Sequence, residues 1–149
     1  MKPVEFCCAG CLQGSPQSLV AQILDLENWT SFRGYAFLPG IAEARFLIRT
    51  ESLVGTRIAV RNSDGSRHVE EIVAWDGVSH LQMEMKEFSA PLKFLAERFE
   101  EHWHFGPTVV ERRFRLFARG PFSRLLLCGV APFLKRAVER HFQSLSQQG

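Results

Sequence analysis

Hydrophobic and polar residues alternate along much of the chain with a period of two, which is typical of β-strands that have one face on a core. The pattern predicts a first strand over residues 3–13 and two more over 41–51 and 55–62. After a hairpin turn at Asp64-Gly65 the alternation continues to residue 86, and it returns between residues 98 and 115. These segments predict an antiparallel sheet of about six to seven strands.

Helical signals occupy two regions of the sequence. Ser15 as N-cap and Pro16 at the first helical position predict the start of a short helix, and a second short helix is expected over residues 26–33. Near the C-terminus, a broad apolar stripe with helical spacing predicts a long helix over residues 121–146. Pro132 lies within this helix and is expected to kink it.

Two opposite charges fall on the apolar face of the last predicted hairpin. A tight turn at Gly106-Pro107 would place Glu101 directly opposite Arg112, and directly opposed residues share a face. The other side chains on this face are mostly aromatic and aliphatic. A buried ion pair adds little stability compared with apolar side chains. We therefore interpret the pair as a polar feature of a binding cavity, with a structural ion pair in a filled core as the alternative.

The composition indicates a single globular domain over residues 1–149, with 46% hydrophobic and 23% charged residues. The formal net charge is only +2, and the basic residues of the C-terminal third are spread over a strand and a helix, so nucleic acid is not a predicted partner. No run is apolar enough for stable membrane insertion, and the first residues lack a secretory pattern. We expect a cytoplasmic protein; its oligomeric state is left open.

Four cysteines and five histidines raise the question of a metal site. Cys7, Cys8 and Cys11 lie on one predicted strand, where Cys8 points away from the other two, so the three thiolates do not converge. His102 and His104 share a strand face and could bind a metal with a neighbouring glutamate, but that face is expected to be ordinary solvent-exposed surface. The sequence contains no phosphate-binding loop or nucleotide fingerprint. Neither a metal nor a cofactor is therefore predicted.

The order strand, two short helices, antiparallel strands and long closing helix resembles the SRPBCC superfamily, which includes START lipid-transfer domains, the birch-pollen-allergen fold and polyketide cyclase/dehydrase-like proteins. The segments that carry the resemblance are residues 24–29 (LDLENW), 38–41 (LPGI) and 99–105 (FEEHWHF), together with the closing helix. The resemblance implies an α+β helix-grip fold, in which a curved antiparallel sheet wraps round the C-terminal helix with a cavity for a ligand between them. It implies no catalytic residue, because the superfamily has no universal catalytic motif.

Two functions are consistent with this interpretation. The first is binding or transport of a small hydrophobic or amphipathic ligand, with Arg112 or Glu71 holding its polar end. The second is a polyketide cyclase/dehydratase-like enzyme in which Glu101 or Glu71 is a general base and Arg112 stabilises an enolate-like oxyanion. Glu71 is included because the alternation assigns it to the same inward face as Trp75. The predicted ligand-site residues are Phe46, Glu71, Met83, Met85, Glu101, Trp103, Arg112 and Phe114.

Overall fold

The computed structural model describes residues 1–147 and contains a curved sheet of seven strands within that range, all paired antiparallel. The strands are β1 (Val4–Cys11), β2 (Ile41–Ile48), β3 (Arg57–Asn62), β4 (Arg67–Trp75), β5 (His80–Lys86), β6 (Ala96–Phe105) and β7 (Val109–Ala118). Their order in the sheet is β1-β7-β6-β5-β4-β3-β2. The chain therefore crosses from one edge of the sheet to the other after β1 and then returns strand by strand.

The helices follow the predicted order. Helix α1 spans Pro16–Ile23, a 3₁₀ helix spans Leu26–Ser31, and the long helix α2 spans Pro121–Gln147. The Ser15 side chain accepts a hydrogen bond from the backbone N–H of Ser18, which caps α1 as expected. No helix in the described part of the chain is long and apolar enough to cross a membrane. The α+β helix-grip architecture predicted from the sequence is confirmed.

The turn between β6 and β7 differs from the predicted one. The Gly106 N–H donates to the Val109 carbonyl at 2.8 Å, so the two loop residues are Pro107 and Thr108 rather than Gly106 and Pro107. Proline is favoured at the first central position of a β-turn, because its fixed φ matches that position, and is disfavoured at the second central position of the common type I turn. The predicted turn put Pro107 in this second position, which explains the error.

This turn shifts the register of the hairpin by two residues. Glu101 pairs with Phe114, and Arg112 pairs with Trp103, whereas the sequence placed Glu101 directly opposite Arg112. Because side chains alternate between the two faces with a period of two, a shift of two positions leaves each side chain on its predicted face. Glu101 and Arg112 therefore still meet on the concave side, as diagonal neighbours rather than as an opposed pair.

Strand β4 departs from the predicted pattern in a way that changes faces. Glu70 pairs with a buried residue of β3 and is itself buried, whereas the sequence assigned Glu71 to this inward face. Trp75 does pack against the core, but the pairing with β5 contains a register shift between Ile72 and Ala74. A β-bulge of this kind reverses the alternation. An assignment of inward-facing residues that counts back by twos from Trp75 without the bulge therefore selects Glu71 instead of Glu70. The predicted inward orientation of Glu71 is wrong.

Helix α2 packs across the concave face against β1 and β7. It lies very close to the sheet at Gly10 of β1, where a Cβ atom would overlap the ring of Phe142. Phe142 is buried in the main core cluster together with Val20, Trp103 and other apolar side chains. The absence of a side chain at Gly10 thus allows the end of α2 to close over the sheet.

We predict that Gly10→Ala lowers the free energy of unfolding by about 1–3 kcal/mol, because the added methyl group must displace the Phe142 ring from a packed core. Urea denaturation followed by circular dichroism measures the change. Gly120→Ala is the matched control, since nothing lies within 4 Å of a Cβ atom built at Gly120. Equal stability of the two variants would contradict the prediction.

Candidate ligand-binding cavity

A cavity of about 410 Å³ lies between the concave face of the sheet and helix α2. The helix contributes Leu126, Val130, Leu134 and Val138, which are spaced four residues apart and so lie along one face. Strands β4 to β7 provide much of the opposite wall. The volume lies within the range of about 300–1,000 Å³ that is usual for small-molecule sites.

Five of the eight predicted site residues line this cavity. They are Met85, Glu101, Trp103, Arg112 and Phe114. Met83 is fully within the core, Phe46 packs against the same core cluster, and neither is among the cavity-lining residues. Glu71 projects from the other face of the sheet, where its Oε1 lies 3.4 Å from Arg57 Nε and 3.1 Å from Lys86 Nζ. The three residues outside the cavity thus have structural partners of their own.

The central polar feature of the wall is the ion pair between Glu101 and Arg112. Both residues are buried, with 4% and 7% of their surface exposed. Arg112 Nε donates a hydrogen bond to Glu101 Oε1 at 2.9 Å, and Nη2 donates to the same oxygen. The guanidinium lies over the Trp103 ring, with Cζ 4.0 Å from the ring centroid, so stacking holds its plane in place.

The pair leaves part of the arginine unsatisfied. Arg112 Nη1 is buried and has no hydrogen-bond partner among the described residues. Burial raises the pKa of Glu101, and the nearby Glu70 adds to that shift, while Arg112 opposes it. The wall therefore contains a buried guanidinium N–H group that no described residue accepts.

Sequence reasoning missed several polar residues that line the cavity, among them His68, Glu70 and His141. His68 Nε2 lies 3.2 Å from Glu70 Oε2, and both side chains are largely buried. The register of the β3–β4 hairpin about its Asp64-Gly65 turn could have identified the first two, since their strand pairs with the buried residues of β3. His141 follows Leu134 and Val138 at helical spacing, which is the signal for its inward position.

His141 faces the cavity from the last third of α2. Its ring meets Phe32 edge-on, with centroids 5.4 Å apart and an angle of 71° between the rings. Burial lowers the pKa of His141 to about 4, and the positive charge of Arg112 contributes to the shift. The imidazole is therefore neutral at physiological pH.

We predict that His141→Gln flattens the acid side of the pH–stability profile. The pKa of His141 is about 4 in the folded state and ordinarily 6.5, so the unfolded chain takes up this proton first as the pH falls. Between pH 7 and pH 4.5, the free energy of unfolding of the wild-type protein should fall by about 2 kcal/mol because of this group. The variant should not show this contribution. Urea denaturation of both proteins at the two pH values provides the test. Parallel profiles for the two proteins would be the opposite result.

No family model matches the chain, and the comparison with curated proteins found no match. Solved structures match it over almost its whole length. A protein from Thermus thermophilus has a TM-score of 0.69 at 19% identity, covering 97% of this chain and 95% of that chain. A START superfamily protein from Mycobacterium smegmatis has a TM-score of 0.60 at 12% identity, covering 95% and 98%. The major latex-like protein 151 of Panax ginseng has a TM-score of 0.60 at 16% identity, also covering 95% and 98%.

These similarities define the class of fold. The chain has the helix-grip fold of START-like proteins, and the resemblance to the SRPBCC superfamily predicted from the sequence is confirmed at the level of the fold. Because the sequence identities are below 20%, the roles of individual residues in those proteins cannot be transferred to this chain. The function must therefore be argued from the side chains of the cavity itself.

Proposed function

We propose that the protein binds or carries a small amphipathic molecule in the cavity between α2 and the sheet. The observation that carries the proposal is the N–H edge of Arg112 at Nη1, which is buried without a partner among the described residues on a mainly apolar wall. An unsatisfied buried donor costs about 1–3 kcal/mol, and a ligand oxygen would remove that cost. In this arrangement the polar end of the ligand lies at Arg112, and its apolar body lies along α2.

The charges near Arg112 favour a carbonyl oxygen over a carboxylate as the ligand group. Glu101 already neutralises the guanidinium. Glu70 lies on the same wall and interacts electrostatically with Glu101. A second full negative charge would be repelled by these carboxylates, whereas a carbonyl accepts the same hydrogen bond without this penalty.

Ligand titration tests the proposal. Fatty acids, sterols, aromatic polyketides and isoprenoid quinones are added while tryptophan fluorescence is followed. Trp29 and Trp103 line the cavity and Trp75 does not, so a Trp75→Phe background restricts the signal to the two cavity tryptophans. We expect saturable binding by at least one class. Absence of binding by every class would contradict the proposal.

The role of Arg112 is tested separately. Arg112→Met should weaken binding by about tenfold or more, since one charge-assisted hydrogen bond is worth roughly 1.5–3 kcal/mol. Glu101→Gln/Arg112→Met provides a second variant in which no buried carboxylate is left unpaired. Arg113→Met is the matched control, because Arg113 lies on the opposite face of the sheet and pairs with Glu111 at 3.1 Å. Equal affinity in the Arg112 and Arg113 variants would exclude Arg112 as the anchor.

Catalysis of the cyclase or dehydratase kind is a second candidate function, and the contact between His68 and Glu70 favours it. Glu101 is held by two N–H groups of Arg112, and Glu71 lies on the other face, so neither is a well-placed base. His68 Nε2 faces Glu70, so His68 would accept a substrate proton at Nδ1, which lies 3.4 Å from Asn62 Nδ2, while Glu70 stabilises the resulting imidazolium. Loss of turnover of a β-hydroxy polyketide in His68→Gln, with binding retained, would support catalysis. Turnover at the wild-type rate in this variant would exclude His68 as the base.

A further inference from the structure

The outer face of the sheet, opposite to the cavity, brings three histidines together. His102 and His104 are two residues apart on β6, and His80 of the neighbouring strand β5 pairs directly with His104. Each imidazole contributes one ring nitrogen to a group of atoms that all lie within 4.8 Å of one another. The sequence places only His102 and His104 on a common face. The pairing of β5 with β6 adds the third residue.

We propose that His80, His102 and His104 form a binding site for a divalent transition-metal ion, with Zn²⁺ as the ion that fits best. Three imidazoles with one open position are a known zinc donor set, and they lack the oxygen ligands that Mg²⁺ and Ca²⁺ prefer. The site is separated from the cavity by the sheet itself, so it does not depend on the function proposed for the cavity.

The distances suit a tetrahedral ion. Two nitrogen ligands of Zn²⁺ lie about 3.3 Å apart when each Zn–N bond is about 2.0–2.1 Å. His80 Nε2 and His102 Nδ1 are already 3.1 Å apart. The His104 ring stacks on His80 with centroids 4.9 Å apart, and His104 is exposed, so rotation about its side-chain bonds can bring the third nitrogen into place.

A carboxylate lies close to the second ring nitrogen of His102. With Nδ1 directed towards His80, His102 Nε2 faces Glu100 Oε1 at 3.7 Å. Glu100 is only 7% exposed, although the sequence placed it on the solvent-facing side, and its other oxygen lies 3.9 Å from Arg98. A carboxylate that accepts the second N–H of a metal-bound histidine orients the ring and strengthens it as a ligand.

The backbone around His80 is also fixed before any ion binds. Asp76 Oδ1 accepts hydrogen bonds from the backbone N–H groups of Val78, Ser79 and His80, which holds the turn that starts β5. The backbone position of this donor is thus set by the fold itself.

The charged groups beside the cluster are nearly balanced. Arg113 pairs with His102 across the β6–β7 ladder, and Glu111 pairs with His104. Arg113 Nη2 and Glu111 Oε1 form their own ion pair at 3.1 Å, so the arginine charge is compensated beside the site. A cation therefore approaches the three imidazoles without a strong opposing charge.

The experiment is titration of the full chain with Zn²⁺ and with Co²⁺, followed by calorimetry and by cobalt absorption. The cysteines are first replaced (Cys7→Ser, Cys8→Ala, Cys11→Ser, Cys128→Ser), because all four are free thiols that could bind these ions. We expect one ion per chain. Zn²⁺ should also raise the Tm, because the ion would connect β5 to β6.

Variants distinguish this site from non-specific binding. Glu100→Gln should weaken binding by about tenfold, and His80→Gln or His104→Gln should weaken it by more than that. Glu43→Gln is the matched control for Glu100→Gln, since Glu43 is an exposed glutamate on the edge strand β2, away from the three histidines, and it should bind Zn²⁺ like the parent protein. Circular dichroism verifies that each variant is folded. Absence of saturable binding, or binding that survives His80→Gln unchanged, would overturn the proposal.

Discussion

Glu101→Gln is expected to lower the free energy of unfolding by about 3 kcal/mol, because it removes the only charge that compensates Arg112 inside the described part of the protein. The guanidinium would remain stacked on Trp103 in a buried site, with no carboxylate among the described residues in salt-bridge contact with it. The loss arises from this stranded charge rather than from the energy of the pair itself. Urea denaturation at pH 7 measures it.

Two further variants separate these contributions. Glu101→Gln/Arg112→Met removes both charges and should recover much of the lost stability, since replacing a buried pair by groups without charge is often nearly neutral. Glu43→Gln is the exposed control, because Glu43 and Arg61 form an ion pair at 3.2 Å in which both side chains are about half exposed. Its cost should be below about 1 kcal/mol. A Glu101→Gln variant that is no less stable than Glu43→Gln would show that the buried charge is compensated in another way.

Val130→Trp is expected to abolish ligand binding in the cavity while the fold is kept. Val130 is half-buried in the middle of the helical wall, between Leu126 and Leu134. An indole at this position occupies space that the ligand would need. It fills a void instead of displacing packed atoms, so the usual cost of overpacking a core should be small.

The measurement is titration of Val130→Trp with the ligand class that binds the parent protein and with the apolar dye ANS, both followed by calorimetry. Val109→Trp adds the same side chain at an exposed position on β7, where half of the valine surface is accessible. It should bind like the parent protein. Full binding by Val130→Trp, together with an unchanged Tm, would place the ligand outside this cavity.

The elements of the fold were largely readable from local patterns. Alternation predicted the strands, and Ser15 with Pro16 marked the start of α1, because these signals depend on neighbouring residues. The faces of β6 and β7 were also assigned correctly, so the pairing of Glu101 with Arg112 was anticipated despite a register error of two residues. A register error of an even number of residues keeps every side chain on its predicted face of the sheet, so the cavity wall is unchanged.

What the sequence by itself determined is an antiparallel sheet closed by a long C-terminal helix, which the family resemblance extended to a helix-grip fold, and the presence of a buried carboxylate–guanidinium pair on an apolar face. Only the tertiary structure decided that Glu70 rather than Glu71 faces the cavity, because a β-bulge between Ile72 and Ala74 reverses the alternation. It also decided that His80 meets the histidines of β6, since strand pairing joins residues far apart in the chain. Local periodicity encodes which residues alternate, whereas bulges and pairing registers, which depend on the whole sheet, decide which of them meet.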